Sequence, residues 1–162
     1  MRNYFDLFDF EVKFNINLDI LEKKYLELQK KYHPDNFVAD TSKKKIEFFD
    51  NTGEINKGYQ IIKDDLKRAI HILELKNINF QDCTIKKNDL EIIWGEYNLA
   101  EKINNEKELQ VKLIQKLDDK KNIISKLSNA FKVQNYNLAS YYTVILKYLE
   151  NLIIFLNQKC KS

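Results

Sequence analysis

The sequence predicts an all-α fold in which an N-terminal helical hairpin with a short packing helix is joined to a C-terminal three-helix bundle. Only three Gly and one Pro occur in 162 residues, which leaves few places for the tight turns of β-hairpins. Long stretches rich in Lys, Glu, Leu, Ile and Asn carry apolar residues at alternating steps of three and four, the spacing of one helix face. With 44% hydrophobic residues, the chain can bury a core for one domain or two small ones, and we expect two.

The charge and the cysteine content argue against several classes of function. The 27 Lys and Arg residues and the 24 Asp and Glu residues give a net charge of +3, an excess too small to require a nucleic-acid partner. Cys83 and Cys160 belong to no CxxC pair, so we expect no metal site, no disulfide framework and no cofactor. No N-terminal leader is evident, and the late apolar run 152–156 is too short to span a bilayer. We therefore expect a cytoplasmic protein without a membrane partner.

The first predicted elements are an aromatic segment and an amphipathic helix. Residues 4–10 carry Tyr4, Phe5, Phe8 and Phe10 and are too short for an independent helix, so we expect a lid that packs on a larger element. The following helix begins at Leu18, with Asn17 as its N-cap. Its apolar face consists of Leu18, Leu21, Tyr25, Leu28 and Tyr32.

The segment Tyr32-His33-Pro34-Asp35 ends this helix, because proline lacks an N–H group and disfavours helical geometry in the residue before it. A second long helix follows, from N-cap candidates at 40–42 to about Leu75. Its predicted buried positions are Ile46, Phe49, Ile55, Tyr59, Ile62, Leu66, Ala69 and Leu73. Gly53 and Gly58 interrupt the pattern and suggest close approach of a neighbouring element. Two long helices joined by a short turn should pack antiparallel.

Helical spacing lapses over residues 76–86, which we assign to a linker between a domain at 1–75 and a domain at 87–162. Three further helices are predicted at about 88–104, 106–133 and 137–159, as expected for a three-helix bundle with short connections. Their apolar positions include Leu90, Ile93, Trp94, Tyr97 and Ile103, then Leu113, Leu117, Ile124, Leu127 and Phe131, and finally Leu138, Ile145, Leu149, Leu152 and Leu156.

Three polar residues of the predicted helices and linker have ordinary interpretations. We expect Arg68 to form a structural ion pair with Asp64 or Asp65, and His71 to be a satisfied or solvated histidine without a catalytic role. Cys83 lies in the linker, where a lone metal ligand is not expected.

The N-terminal half resembles a J-domain. The features that carry the resemblance are a helix ending at Lys31-Tyr32, the tripeptide His33-Pro34-Asp35, and a following helix containing 55–62 (INKGYQII) and 66–69 (LKRA). The chain as a whole resembles the HscB co-chaperones. It opens with 4–8 (YFDLF), it has no glycine-rich or zinc-binding continuation, and it leads to a helical domain with the stretch 93–101 (IWGEYNLAE).

This resemblance implies an adaptor in iron–sulfur cluster biogenesis that is not an enzyme. The J-domain would bind a DnaK-class, HscA-like chaperone and stimulate its ATP hydrolysis, and the C-terminal domain would deliver an IscU-like scaffold protein to it. The residues implied for chaperone binding are His33, Pro34 and Asp35, together with Tyr25 and the helix lysines Lys23, Lys24, Lys30 and Lys31. Lysines on that helix would steer the encounter with an acidic chaperone surface.

The family's scaffold-binding patch corresponds by position to Ile93, Trp94, Tyr97, Glu101 and Tyr148. Trp94 and Tyr97 are residue types that often anchor interfaces, but both could equally belong to the core of the bundle. Asn98 and Asn105 depart from the family, whose members tend to carry acids at these positions.

Three other functions remain open from the sequence. A J-protein for a different client would differ only in what its C-terminal domain binds. A basic helical protein that binds nucleic acid would use the lysine-rich faces and would lose affinity steeply with salt. An enzyme using His33 and Asp35 as acid and base would need a pocket, and a hairpin tip is convex. The cysteine-rich N-terminal segment of animal relatives is missing, so we expect a bacterial-type member.

Overall fold

A computed structural model of the chain describes residues 2–32 and 42–161, apart from the side chains of residues 42–51 and of Leu90. The described residues form helices and connecting segments and contain no strand, so the all-α prediction is confirmed. The elements are α1 (Tyr4–Leu7), α2 (Leu18–Lys31), α3 (Ser42–Lys63), α4 (Asp65–Leu75), a short 3₁₀ helix (Phe80–Asp82), α5 (Lys87–Lys102), α6 (Glu106–Lys132) and α7 (Tyr136–Lys159).

The chain folds as two compact units, Met1–Lys76 and Asn77–Ser162. Most of the segment that we assigned to a linker therefore lies in the second unit. Phe80 of the 3₁₀ helix is buried there, and the Lys147 Nζ atom of α7 lies 5.6 Å from the centre of its ring. The assignment of separate functions to 1–75 and 87–162 stays a prediction.

In the first unit, α2 and α3 pack antiparallel. The Tyr25 and Tyr59 rings stack with their centres 4.0 Å apart, and the Tyr25 hydroxyl donates to the Asn56 side-chain oxygen over 2.9 Å. One turn later in α2, the Gln29 amide donates to the same Asn56 oxygen over 2.6 Å. Later residues of α2 thus face earlier residues of α3, so α2 ends and α3 begins at the same end of the hairpin.

The predicted start of α2 is confirmed, because the Asn17 side chain accepts hydrogen bonds from the backbone N–H groups of Asp19 and Ile20. The predicted continuation of one helix to Leu75 is wrong. The helix breaks after Lys63, and Asp64 becomes the N-cap of α4, accepting from the Lys67 N–H over 2.8 Å. Apolar spacing runs without interruption across this break, which is why periodicity alone did not show it.

The lid prediction for the aromatic segment agrees with the packing of α1, in which Tyr4 and Phe5 are buried. A Cβ atom at Gly58 of α3 would lie 2.8 Å from Tyr4 Cδ1, so the predicted close approach is confirmed at this glycine. The same prediction is wrong for Gly53, where a Cβ atom would meet nothing within 4 Å. The Tyr4 N–H donates to His71 Nε2 of α4 over 3.2 Å, which joins α1 to α4.

Most predicted apolar positions whose side chains the structure describes are buried or partly buried. Leu21, Ile55, Ile62, Leu73, Leu127 and Leu156 are buried. Leu18 was expected on the buried face, but 49% of its surface is exposed, and Leu117 and Leu138 are exposed as well. Ile46, Phe49 and Leu90 lie outside the described side chains.

The second unit is a three-helix bundle, as predicted. Helices α6 and α7 form an antiparallel pair joined at 133–135, and the Lys120 Nζ and Glu150 Oε1 atoms lie 2.7 Å apart across it. Helix α5 joins this pair through a core cluster of Ala100, Leu109, Leu152 and Leu156. Among the described helices of both units, none is long and apolar enough to cross a membrane.

Candidate functional site

The basic face of α2 is not uniform. Lys23, Lys30 and Lys31 are exposed. Lys24 is partly buried, because its Nζ atom lies 3.3 Å from the Asp9 carbonyl oxygen, 3.4 Å from Asp9 Oδ2 and 5.4 Å from the centre of the Phe10 ring. Lys24 therefore holds the segment after α1 against α2, and its role in chaperone binding stays a prediction.

Tyr25 lies at the hairpin interface. Its ring stacks on Tyr59 and its hydroxyl is bonded to Asn56, so its first role is to hold α2 on α3. The predicted trigger residues His33, Pro34 and Asp35 lie outside the described residues. Only the helix ends that flank them, at Lys31 and Ser42, are placed by the hairpin geometry.

Trp94 and Tyr97 of α5, which the sequence could place either in the core or at an interface, have different environments. Trp94 is 68% exposed, so it is not a core residue of this bundle. Tyr97 is half-buried against the core cluster, with its ring centre 6.3 Å from that of Phe155. The Tyr97 hydroxyl donates to the Tyr148 carbonyl oxygen over 3.3 Å, and burial followed by the nearby Tyr148 hydroxyl raises the pKa of Tyr97.

The remaining predicted residues of the scaffold-binding patch take different positions around Tyr97. Ile93 is half-buried and lines a groove between α5, α6 and α7. Glu101 is exposed, and its backbone carbonyl accepts from the Lys159 ammonium group. Tyr148 of α7 is 37% exposed and lines the same groove as Ile93. The structure thus brings Ile93, Tyr97 and Tyr148 close to the α5–α7 contact.

Two exposed residues of α5 were missed by sequence reasoning. Ile92 is 63% exposed and Leu99 is 56% exposed, although both are apolar. Their separation of seven residues places them on one side of the helix. That separation was visible in the sequence, but exposure depends on which side of α5 faces α6 and α7, and the apolar pattern alone does not reveal this.

An ion-pair network connects α5 to α6. Glu96 Oε2 lies 2.6 Å from Lys112 Nζ and 3.3 Å from Lys116 Nζ, and Lys116 Nζ lies 2.8 Å from Asp119 Oδ2. Burial by itself lowers the pKa of Lys116, but the hydrogen bond to Asp119 and the charge of Glu96 outweigh it and raise the pKa. Burial also works against the charged form of Glu96, and the two lysines nevertheless lower its pKa. The network therefore keeps both partners charged while it orients α5.

The start of α5 has a second polar anchor. The Tyr141 hydroxyl of α7 donates a short hydrogen bond to Asp89 in the first turn of α5. Burial and this bond to Asp89 raise the pKa of Tyr141 to about 12, so the phenol stays protonated as a donor. Because Asp89 also lies at a helix N-terminus, its charge is favourably placed there.

A search for metal ligands within residues 2–32 and 42–161 finds no group of three or more His, Cys, Asp or Glu side chains that could hold an ion.

Comparison with known proteins identifies the family. No protein-family model matches the chain. A co-chaperone protein HscB homologue from Haemophilus ducreyi is 30% identical over 163 residues, covering 95% of this chain and 93% of that protein. The chain belongs to the HscB co-chaperone family. The relatives of this family are named as co-chaperones, which confirms the prediction that the chain is not an enzyme.

Two further likenesses differ in extent. An HscB homologue from Shewanella sp. (strain W3-18-1) is 40% identical over 87 residues. This match covers 54% of this chain and 50% of that relative. The crystal structure of the human co-chaperone protein HscB matches with a TM-score of 0.91 at 21% identity, over 98% of this chain and 82% of that one. This structural match confirms the predicted fold class, an N-terminal J-domain followed by a helical bundle.

Proposed function

We propose that this protein stimulates the ATPase of a DnaK-class, HscA-like chaperone and delivers an IscU-like iron–sulfur scaffold protein to it in the bacterial cytoplasm. The observation that carries the proposal is the likeness to an HscB homologue along 95% of the chain, since it includes both units. Each unit then supplies one binding surface.

The hairpin of the first unit is the proposed chaperone-binding surface. Exposed Lys23, Lys30 and Lys31 on α2 give this surface a positive charge next to the His33-Pro34-Asp35 tripeptide. Such charges accelerate the encounter with an acidic partner more than they tighten the final complex. Asp35 is suited to a charge-assisted hydrogen bond with a chaperone arginine, among the stronger polar contacts in proteins.

In the proposed mechanism, no residue of this protein takes part in a chemical step. A co-chaperone accelerates hydrolysis by another protein if it binds the hydrolysis-competent arrangement more tightly than the resting arrangement. Binding the scaffold on the second unit raises its effective concentration near the chaperone, because both surfaces belong to one molecule.

Trp94 is the proposed anchor for the scaffold. Burial of a tryptophan removes a large apolar area from water, and tryptophan is among the residues that contribute most to interface affinity. A tryptophan that is 68% exposed on a helix held by the Glu96 network and the Tyr141 bond is positioned to supply that burial on binding.

Calorimetric titration with an IscU-like scaffold tests this half of the proposal. We expect Trp94→Ala to weaken binding about thirtyfold, the effect of losing an interface residue worth about 2 kcal/mol. Ile154→Ala is the matched control, because Ile154 is a large apolar residue of α7 that is 53% exposed and lies outside the predicted patch. Unchanged affinity for Trp94→Ala would show that the scaffold binds elsewhere.

A further inference from the structure

Helix α5 presents apolar side chains on two separate flanks. Ile92 and Trp94 are two residues apart, which places them about 200° from each other around the helix. Leu99 lies two turns after Ile92 and shares its side. The side of α5 that lies between the two flanks faces the interior of the bundle. On this side Ala100 is fully buried and Tyr97 packs on the core cluster. Trp94 therefore accounts for only one of the two exposed flanks.

The flank with Ile92 borders the groove between α5, α6 and α7. This groove has a volume of about 290 Å³. Its apolar lining includes Ile92 and Ile93 from α5, Ile123 from α6, and Ile145 and Leu149 from α7. Ile93 and Tyr148 line the groove and also belong to the predicted scaffold-binding set, so the groove is continuous with that surface.

One exposed lysine at the groove is suited to pair with a carboxylate of a partner. Lys116 and Asp119 are paired with each other on its wall, and Glu96 is paired with Lys112 and Lys116. Lys126 also lines the groove and is exposed. The lining contains two lysines and two carboxylates, and Lys126 is the lysine that takes no part in the ion pairs described for Lys116, Asp119 and Glu96.

We propose that this groove is a second half of the scaffold-binding surface, and that it takes an apolar side chain of the scaffold which is flanked by a carboxylate. This inference rests on the proposed function and adds to it the α5–α6 side of the bundle. The apolar side chain contacts Ile92 and Ile123, and the carboxylate pairs with Lys126. The scaffold then surrounds α5 from both flanks, with Trp94 on one side and Ile92 and Leu99 on the other.

Calorimetric titration of the full chain with an IscU-like scaffold provides the test. Ile92→Ser and Leu99→Ser remove apolar contacts from the second flank, and Lys126→Glu reverses the unpaired charge. We expect each to weaken scaffold binding at least fivefold, and we expect the loss for Lys126→Glu to shrink as salt is raised. Ile123→Phe fills the groove without removing apolar surface, and it should weaken binding as well.

Two substitutions on α6 serve as matched controls. Ile114→Ser removes an apolar side chain that is 61% exposed and does not line the groove, and Lys107→Glu reverses an exposed charge elsewhere on the same helix. Both should bind the scaffold within twofold of the unchanged chain. Urea unfolding of every variant shows that the binding changes do not arise from loss of the fold.

The outcomes distinguish the inference from the function on which it rests. If Trp94→Ala weakens binding while the four groove and flank variants bind as the controls do, the inference is overturned and the proposed function stands. If the unchanged chain binds no scaffold, the proposed function fails first. Losses confined to the groove and flank variants, with intact controls, support the inference.

Discussion

Arg68 is a buried side chain of the first unit that carries a charge and donates several hydrogen bonds. It is 4% exposed, its Nε donates to the Phe14 carbonyl over 2.7 Å, and its Nη1 donates to the Ile62 carbonyl over 2.7 Å. Its Nη2 pairs with Asp65, which confirms the predicted ion pair and selects Asp65 over Asp64. The guanidinium thereby joins the segment before α2 to the α3–α4 break.

Replacing Arg68 should destabilise the fold strongly. Arg68→Ala leaves two buried carbonyl groups and a carboxylate without their donor, so we expect a loss of about 3 kcal/mol in the free energy of unfolding. Arg68→Lys should recover little of it, since an ammonium group lacks the fork of donors. Urea denaturation measures the change, with exposed Lys67→Ala as the control. A loss no larger than that of Lys67→Ala would refute this role for Arg68.

His71 is a second polar residue in the same interior. Its Nε2 accepts from the Tyr4 N–H, its Nδ1 is buried without a hydrogen-bond partner, and its ring stacks near Phe5 with 5.9 Å between centres. The cavity beside it is lined by the charged groups of Arg2, Glu54, Lys57, Lys67 and Glu74. Burial lowers the pKa of His71, and an imidazolium could not accept the Tyr4 hydrogen bond. We expected His71 to have its hydrogen-bonding groups paired, and this holds for Nε2 only.

The lowered pKa of His71 predicts a loss of stability in acid. The unfolded chain takes up a proton near the ordinary histidine pKa of about 6.5, while the folded chain resists it until lower pH. Stability should therefore be complete above this pH and fall below it, by at most about 1.4 kcal/mol per pH unit. Urea unfolding between pH 7.5 and 5.5 in a His33→Gln background measures this slope. His71→Gln should flatten it, and an equal slope in that variant would contradict the assignment.

At the scale of single elements, α3 contains a natural comparison between two glycines. A Cβ atom at Gly58 would meet Tyr4 Cδ1 at 2.8 Å and Leu7 Cδ2 at 3.1 Å, whereas one at Gly53 would meet open space. Sequence reasoning treated the two glycines alike, because both interrupt the same apolar pattern. Only the packing of α1 distinguishes them, and that contact joins residues more than fifty positions apart.

The two glycines should respond to alanine in opposite directions. Gly53→Ala should stabilise the protein by about 1 kcal/mol, the difference in helix propensity. Gly58→Ala gains the same propensity but forces the buried Tyr4 ring to move, and overpacking of this kind costs about 1–3 kcal/mol, so we expect net destabilisation. Thermal unfolding of both variants measures the contrast. Stabilisation by Gly58→Ala would show that α1 does not pack as described.

The sequence predicted the presence of the helices more reliably than the place where one helix breaks into two. Caps and apolar spacing predicted five long helices. One of them covers both α3 and α4, and the other four correspond to α2, α5, α6 and α7. The break at Asp64 carries a cap signal of its own, yet the spacing of Ile62, Leu66 and Ala69 runs through it. Arg68 bonds the Ile62 carbonyl and Asp65 on the two sides of this break, and the apolar pattern does not encode such contacts.

The candidate site shows the same limit. Residue types and family position selected Ile93, Trp94 and Tyr97, and these residues do lie on one helix near Tyr148. Whether Trp94 or Tyr97 faces solvent depended on how α5 is rotated. In the structure, Ala100 and Tyr97 face the core cluster, and the Glu96 network and the Tyr141 bond to Asp89 join α5 to α6 and to α7. Ile92 and Leu99 became candidates only once the rotation was known.

At the scale of the whole molecule, the proposed function assigns a different binding partner to each of the two units. The first unit carries the exposed lysines of α2, and the second unit carries the exposed side chains of α5. Neither surface needs a reaction of its own, because the proposed activity is to change the rate of another protein's hydrolysis. Joining the two units in one chain raises the effective concentration of the scaffold near the chaperone only if one molecule binds both partners at once.

The proposed stimulation can be measured as steady-state ATP hydrolysis by an HscA-like chaperone, with the protein and an IscU-like scaffold added separately and together. We expect the protein to raise the rate of hydrolysis and the scaffold to raise it further. We expect the Asp35→Asn variant to leave the rate at that of the chaperone with scaffold alone. Calorimetry should show that Asp35→Asn still binds the scaffold, because Asp35 and α5 belong to different units. Undiminished stimulation by Asp35→Asn would contradict the account.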